Sequence, residues 1–114
     1  MKITSKEKTQ ISNVNRQTWK RYSVARKEIK ARCRVSRGTY KCENCGKVMK
    51  GNDSVIAVDH IVPVGAVIEE GYLQRLWCSV ENLWGICNDC HKLKTRLERR
   101  KTPLAEILQA LKEL

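Results

Sequence analysis

Apolar residues along this chain fall into short runs with two different periods, and the period assigns the elements. From about Asn13 to Cys33, the residues Trp19, Tyr22, Ile29 and Cys33 recur at roughly helical spacing, while Lys20, Arg21, Lys27 and Lys30 fall elsewhere. That pattern predicts one amphipathic helix with Asn13 as its N-cap. Residues 1–12 are polar and basic and are expected to be loosely ordered. Val55-Ile-Ala-Val58 is a β-branched run, expected to form a strand that delivers Asp59 and His60 at its end and stops before Pro63. Residues 64–81 predict a loop with a short helix around Glu69–Trp77. Leu83-Trp-Gly-Ile86 predicts a second short strand. A helix should then begin near Cys90 and run through Lys92, Leu93 and Leu97 to about Arg100. Thr102-Pro103 predicts the N-cap and first position of a last helix, with Leu104, Ile107, Leu108, Leu111 and Leu114 as its apolar stripe. Gly38 and Gly51-Asn52-Asp53 mark turns.

With 114 residues, the chain has room for one compact α+β domain whose core is small enough to benefit from an internal staple. Hydrophobic residues at 41% and charged residues at 31% fit a folded protein and exclude a disordered one. No apolar run approaches membrane-spanning length, so no membrane partner is expected. The first ten residues, MKITSKEKTQ, hold no apolar stretch, which predicts a cytoplasmic protein.

Charge sharpens this picture. The formal net charge is +11, and it is unevenly spread. Residues 1–50 carry 15 Lys and Arg against 3 Asp and Glu, residues 51–91 carry 1 against 6, and residues 92–114 carry 7 against 3. Two basic flanks around an acidic centre suit a polyanion that meets a bound cation in the middle. A solvated basic surface would give the same balance.

Six cysteines are many for such a chain. Four of them form two CxxC pairs, Cys42/Cys45 and Cys87/Cys90. Each pair can reach two corners of one tetrahedron, so together they predict a closed, structural Zn²⁺ site with no position left for substrate. Cys33 and Cys78 stand outside this scheme and read as small buried apolar side chains. The chain has only two histidines, and both fall beside this framework: His60 follows Asp59, and His91 follows Cys90.

Asp59-His60, Asn82 and His91, with Cys42-x-x-Cys45 ahead of them and Cys87-x-x-Cys90-His91-x-x-Lys94-Thr95 at the end, resemble the zinc-containing HNH endonucleases. The resemblance covers about Cys42 to Thr95. It implies a ββα-metal core stapled by a four-cysteine zinc site, with flanking N-terminal and C-terminal helices. Charge and periodicity outside that segment complete the division of the chain into a basic N-terminal helical arm (1–35), a nuclease core (36–101) and a C-terminal helix on the same domain (102–114). The resemblance also implies roles. His60 is the general base, Asp59 and His91 hold a catalytic divalent ion (Mg²⁺, Mn²⁺, Ni²⁺ or Zn²⁺), and Asn82 orients His60 or the loop carrying it.

Chemistry supports those roles independently. Phosphodiester hydrolysis needs a proton acceptor for water, which a neutral imidazole provides near pH 7. It also needs a Lewis acid for the phosphate oxygens, and a carboxylate plus an imidazole can hold one. Products with a 5′ phosphate and a 3′ hydroxyl follow from the resemblance. Double-stranded DNA is the expected partner. Arg16, Lys20, Arg21, Arg26, Lys27 and Lys30 are candidate phosphate contacts, and Lys94 is either another or a plain exposed lysine. Free-standing HNH proteins of this size resemble bacteriophage nucleases, either homing enzymes or helpers of DNA packaging, while others act in restriction; phage packaging proteins are therefore candidate partners. A non-catalytic zinc-ribbon or adaptor protein explains the cysteines and the charge equally well, but not the placement of Asp59, His60, Asn82 and His91.

Overall fold

The computed structural model describes residues 2–114. Two helices open the chain, α1 (Ser5–Tyr22) and α2 (Val24–Cys33). A three-stranded antiparallel sheet follows, β1 (Arg34–Ser36), β2 (Thr39–Lys41) and β3 (Val48–Lys50), in the order β1-β2-β3. Then come β4 (Ala57–His60), the short α3 (Tyr72–Leu76), β5 (Leu83–Ile86), α4 (Asn88–Arg99) and α5 (Leu104–Lys112). β4 and β5 form a separate antiparallel pair.

The N-terminal region departs from expectation twice. Helix starts at Ser5, not Asn13, because Thr4 and Glu7 form a reciprocal capping box: each side chain accepts from the other's backbone N–H. The T-x-x-E signal is present in the sequence. The single predicted helix is also broken at Ser23, which ends α1 and caps α2 by accepting from the Arg26 N–H at 3.1 Å. The break rotates the apolar face. Trp19, Ile29 and Cys33 are buried, but Tyr22 is exposed.

The other elements lie close to their predicted positions. β4 starts two residues later than the Val55–Val58 run, so Asp59 and His60 are strand residues and not its sequel. Asn52 and Asp53 form the turn ahead of it, with Asn52 capping a short 3₁₀ turn. α3 spans the middle of the predicted Glu69–Trp77 helix. β5 covers the predicted residues, and α4 stops at Arg99. α4 ends in a Schellman arrangement, with Thr102 N–H bonded to Leu97 O and Lys101 N–H to Glu98 O. Lys101 takes the left-handed conformation this demands, φ 57°. As a result α5 starts one residue later than predicted, and Pro103, not Thr102, sits at its N-cap. The small β1–β3 sheet has no counterpart in the sequence pattern, because three-residue strands carry too little periodicity to register.

Two buried clusters meet at β5. One gathers Trp19, Ile29, Cys33, Ile56, Val64, Tyr72, Leu76 and Leu83. The other gathers Cys42, Cys87 and Cys90 with Ile86, Ile107 and Leu111. Of the predicted α5 stripe, Ile107 and Leu111 are buried, while Leu114 is exposed. Gly85 lets α2 and the β4–β5 pair close together. A Cβ there would lie 2.3 Å from Cys33 Sγ and 3.0 Å from Ile56 Cγ2.

Gly85→Ala is therefore expected to destabilise the protein by about 1–3 kcal/mol through overpacking. Cys33→Ala should recover part of that loss in the double variant, a non-additivity readable from urea midpoints. Strictly additive midpoints would show that the strain lies elsewhere.

Candidate functional site

The two CxxC pairs, 42 residues or more apart in sequence, converge on one point. Their four Sγ atoms lie within 4.8 Å of one another. Cys42 and Cys90 are 3.7 Å apart, as are Cys45 and Cys87. A zinc ion with sulfurs at about 2.3 Å needs tetrahedron edges of about 3.8 Å, and these two edges match that length. Local structure also prepares the donors. Burial disfavours the Cys42 thiolate, but backbone N–H groups of Cys45, Cys87 and Asn44 outweigh it and bring the pKa down to about 7. Asn44 Nδ2 donates to Cys90 Sγ at 3.3 Å and to Leu111 O at 2.8 Å, tying α5 to the cage. Glu43 braces the other side. It takes two bonds from Arg32, at 2.6 and 2.7 Å, and one from the Gly85 N–H at 2.8 Å. Burial alone would raise the Glu43 pKa, and the Arg32 guanidinium turns the net shift downward.

The cage fixes the start of α4, and α4 lies against the β4–β5 pair. Asp59 and His60 project from β4, His91 from the first turn of α4. Together with Arg16, Thr95 and Arg99 they line one cleft of about 680 Å³. Asp59 Oδ1 is 3.9 Å from His91 Nε2. Donors about 2.1 Å from one ion lie about 3.0 to 3.4 Å apart at adjacent octahedral or tetrahedral positions, so a divalent cation shared by Asp59 and His91 would draw the pair together by about 0.5 Å or more.

His60 is buried, 6% exposed, and its Nε2 is 2.8 Å from Leu76 O. A carbonyl only accepts, so Nε2 carries the hydrogen and Nδ1 keeps the lone pair of the neutral ring. The Trp19 ring lies 4.6 Å away, centroid to centroid. Burial pushes the His60 pKa below its ordinary value; the Leu76 carbonyl opposes this, and the positive Arg16 and Lys94 add to it. Among the described residues, Asn82 makes no hydrogen bond to the His60 side chain. It clamps the loop just beyond, accepting the Val62 N–H at Oδ1 (2.9 Å), donating from Nδ2 to Val62 O (3.2 Å), and taking the Ile61 N–H on its own carbonyl (2.9 Å).

Two basic residues expected to contact phosphate are engaged elsewhere. Lys94 is fully buried, with Nζ 2.9 Å from each of His60 O, Asp59 Oδ2 and Glu98 Oε2, so it faces neither phosphate nor solvent. Its position one turn after His91 points it inward under Asp59, which the sequence gives no sign of. Lys30 is half-buried and donates to Asp53 O and Ile56 O, pinning α2 to the approach of β4. Arg26 is partly held too, by Lys20 O at 2.9 Å and over the Trp19 ring. Arg16, Lys20, Arg21 and Lys27 remain exposed. Sequence reasoning passes over Trp84, whose indole N–H donates to Asp59 Oδ2 at 3.0 Å. Strand alternation places it opposite Asp59 only once the register is known.

An antiparallel strand pair and a helix that bring Asp59, His60 and His91 to one cleft, over a four-cysteine cage, define a ββα-metal unit. Residues 42–97 match the family model for HNH endonucleases. No curated protein and no solved structure matches the chain significantly. Among the described residues no helix is long and apolar enough to cross a membrane.

Removing one cage ligand should be decisive. Metal binding at closed thiolate sites supplies folding free energy on the order of 10 kcal/mol. Elemental analysis is expected to find one zinc per chain in the wild type and none in Cys87→Ser, which should unfold or aggregate. A folded, zinc-free wild-type protein would refute the cage's role.

Proposed function

We propose that the protein is a metal-dependent DNA endonuclease in which His60 is the general base, Asp59 and His91 hold the catalytic cation, and Asn82 positions the loop after His60. The observation that carries this reading is the pairing, in one cleft, of a neutral imidazole held by a carbonyl with a carboxylate–imidazole pair 3.9 Å apart. Nδ1 of His60 accepts the proton of the attacking water, while the Nε2–H bond to Leu76 O keeps the ring from turning. The buried ring stays unprotonated at neutral pH, so the base is available without a prior proton loss. Bound between Asp59 and His91, a Mg²⁺, Mn²⁺, Ni²⁺ or Zn²⁺ ion would supply Lewis acidity to the phosphate and the leaving 3′ oxygen. Asn82 holds residues 61 and 62 against the end of β4, which keeps His60 at the mouth of the cleft. Arg16, Lys20, Arg21 and Lys27 supply exposed positive charge for duplex phosphates. A non-catalytic zinc ribbon would account for the cage but not for the His60–Leu76 and Asp59–His91 geometry beside it.

His60→Ala is expected to lower single-turnover cleavage roughly 10²–10⁴-fold at every metal concentration, with folding and zinc content unchanged. His91→Ala should instead shift the metal requirement, so that high Mn²⁺ recovers part of the rate. Cleavage by His60→Ala at the wild-type rate would rule out this mechanism. Because the His60 pKa is depressed, the acid limb of the wild-type pH–rate profile should fall below pH ~6.5. The unfolded chain binds the His60 proton more readily than the folded one, so stability should also decline as pH drops through that same region.

The DNA-binding part of the proposal has its own test. Replacing Lys20, Arg21 and Lys27 together by Gln should flatten the log–log salt dependence of duplex binding by up to about 2.7, at about 0.9 per phosphate contact. An unchanged slope would mean that α1 and α2 serve only to cover the core.

A further inference from the structure

The Asp59 carboxylate is not free to choose which oxygen it offers to the cleft. It sits on β4 directly across from Trp84 on β5, and the indole N–H donates to Oδ2 at 3.0 Å. Lys94 Nζ binds the same oxygen at 2.9 Å. The two remaining Lys94 donors go to His60 O and Glu98 Oε2, each at 2.9 Å. Three donors thus meet three acceptors, and complete burial leaves the ammonium no solvated alternative. Oδ2 is saturated from two directions, whereas Oδ1 is the oxygen that lies 3.9 Å from His91 Nε2.

We infer that Trp84 and Lys94 are positioning residues that hold Asp59 as a one-oxygen ligand, and that they thereby set which cations the site accepts. The inference rests on the assignment of Asp59 and His91 as cation ligands made under the proposed function. Small divalent ions such as Mg²⁺ and Mn²⁺ are well served by single carboxylate oxygens, while the larger Ca²⁺ collects six to eight oxygens and gains from carboxylates that offer both. To offer Oδ2 as well, Asp59 would have to give up the Trp84 and Lys94 bonds and leave a buried ammonium short of an acceptor. The arrangement therefore discriminates against the larger ion. Lys94 adds a second effect. Shared between Asp59 and Glu98, it cancels one of their two charges without occupying the cleft side of the carboxylate.

The test uses the full-length, zinc-loaded protein without DNA and reads metal binding directly. Mn²⁺ and Ca²⁺ are titrated calorimetrically into wild type, Trp84→Phe and Lys94→Gln, with zinc content and circular dichroism as the check on folding. Neither titrant competes well for the thiolate cage, which prefers softer ions. Trp84→Phe keeps an aromatic ring in the strand pair and removes the N–H donor with a small part of the ring's volume. Loss of such an outer partner is expected to weaken Mn²⁺ binding about tenfold. Ca²⁺ affinity should hold or rise, so the preference for Mn²⁺ narrows. Lys94→Gln should narrow it in the same direction. Unchanged affinities in folded Trp84→Phe overturn the inference, and so does a parallel loss for both ions, which is what simple loosening of the strand pair would produce. If Mn²⁺ binding to the otherwise intact protein survives His91→Ala undiminished, the ligand assignment itself falls, and this inference with it.

Discussion

Four cysteine sulfurs drawn within 4.8 Å of one another are the constraint on which the rest of this molecule depends. A buried cluster of thiols has little reason to close up, and a cluster of thiolates repels itself. A zinc ion held by all four would turn that liability into four bonds. The cage joins the knuckle after β2 to the knuckle after β5, and so fixes the ends of the segment that carries the site. For a chain with two small apolar clusters, such a staple stands in for a larger core. Asn44 and Glu43, the two residues inside the first knuckle, extend its hold to α5, to β5 and through Arg32 to α2.

From the cage the order passes to the cleft through α4. Cys90 and His91 are neighbours, so the residue proposed to hold the catalytic cation inherits its position from a structural ligand. One turn further, Lys94 enters the core and binds the β4 strand at both Asp59 and the His60 carbonyl. A buried lysine is costly unless every donor is matched. Here it is, and the cost is offset by locking helix to strand at the place where their side chains must agree. The proposed base and the proposed cation ligands thus share a single polar network, while Asn82 secures the loop after it.

The N-terminal helices lie outside the segment that matches the HNH family, yet they complete the site. Trp19 covers the His60 ring, Arg16 reaches the cleft, and Ile29 and Cys33 pack on β5 where Gly85 makes room. The positive charge of residues 1–50 is therefore of two kinds. Arg16, Lys20, Arg21 and Lys27 face solvent, whereas Lys30 and Arg32 are tied into the fold itself.

Much of this is legible in the sequence, where short-range spacing carries the information. CxxC pairs, the Asp59-His60 and Cys90-His91 neighbours, the β-branched run before them and the leucine stripe of α5 are local patterns, and geometry within a few residues follows from them. The capping box at Thr4 and Glu7 is equally local and can be read the same way. What sequence could not decide is which charged groups face water. Lys94 and Lys30 look like Lys20 and Lys27 in composition and spacing, and only distant carbonyls and carboxylates, brought near by folding, draw them inward. The same holds for Trp84 on Asp59, for Trp19 over His60, and for Asn82 on Val62 instead of the imidazole. The sequence by itself determined the metal-binding types, their order and most of the helices and strands that carry them. Tertiary structure alone decided how each polar side chain is used, because a hydrogen bond requires its partner to be at hand, and those partners come from 16 to 34 residues away.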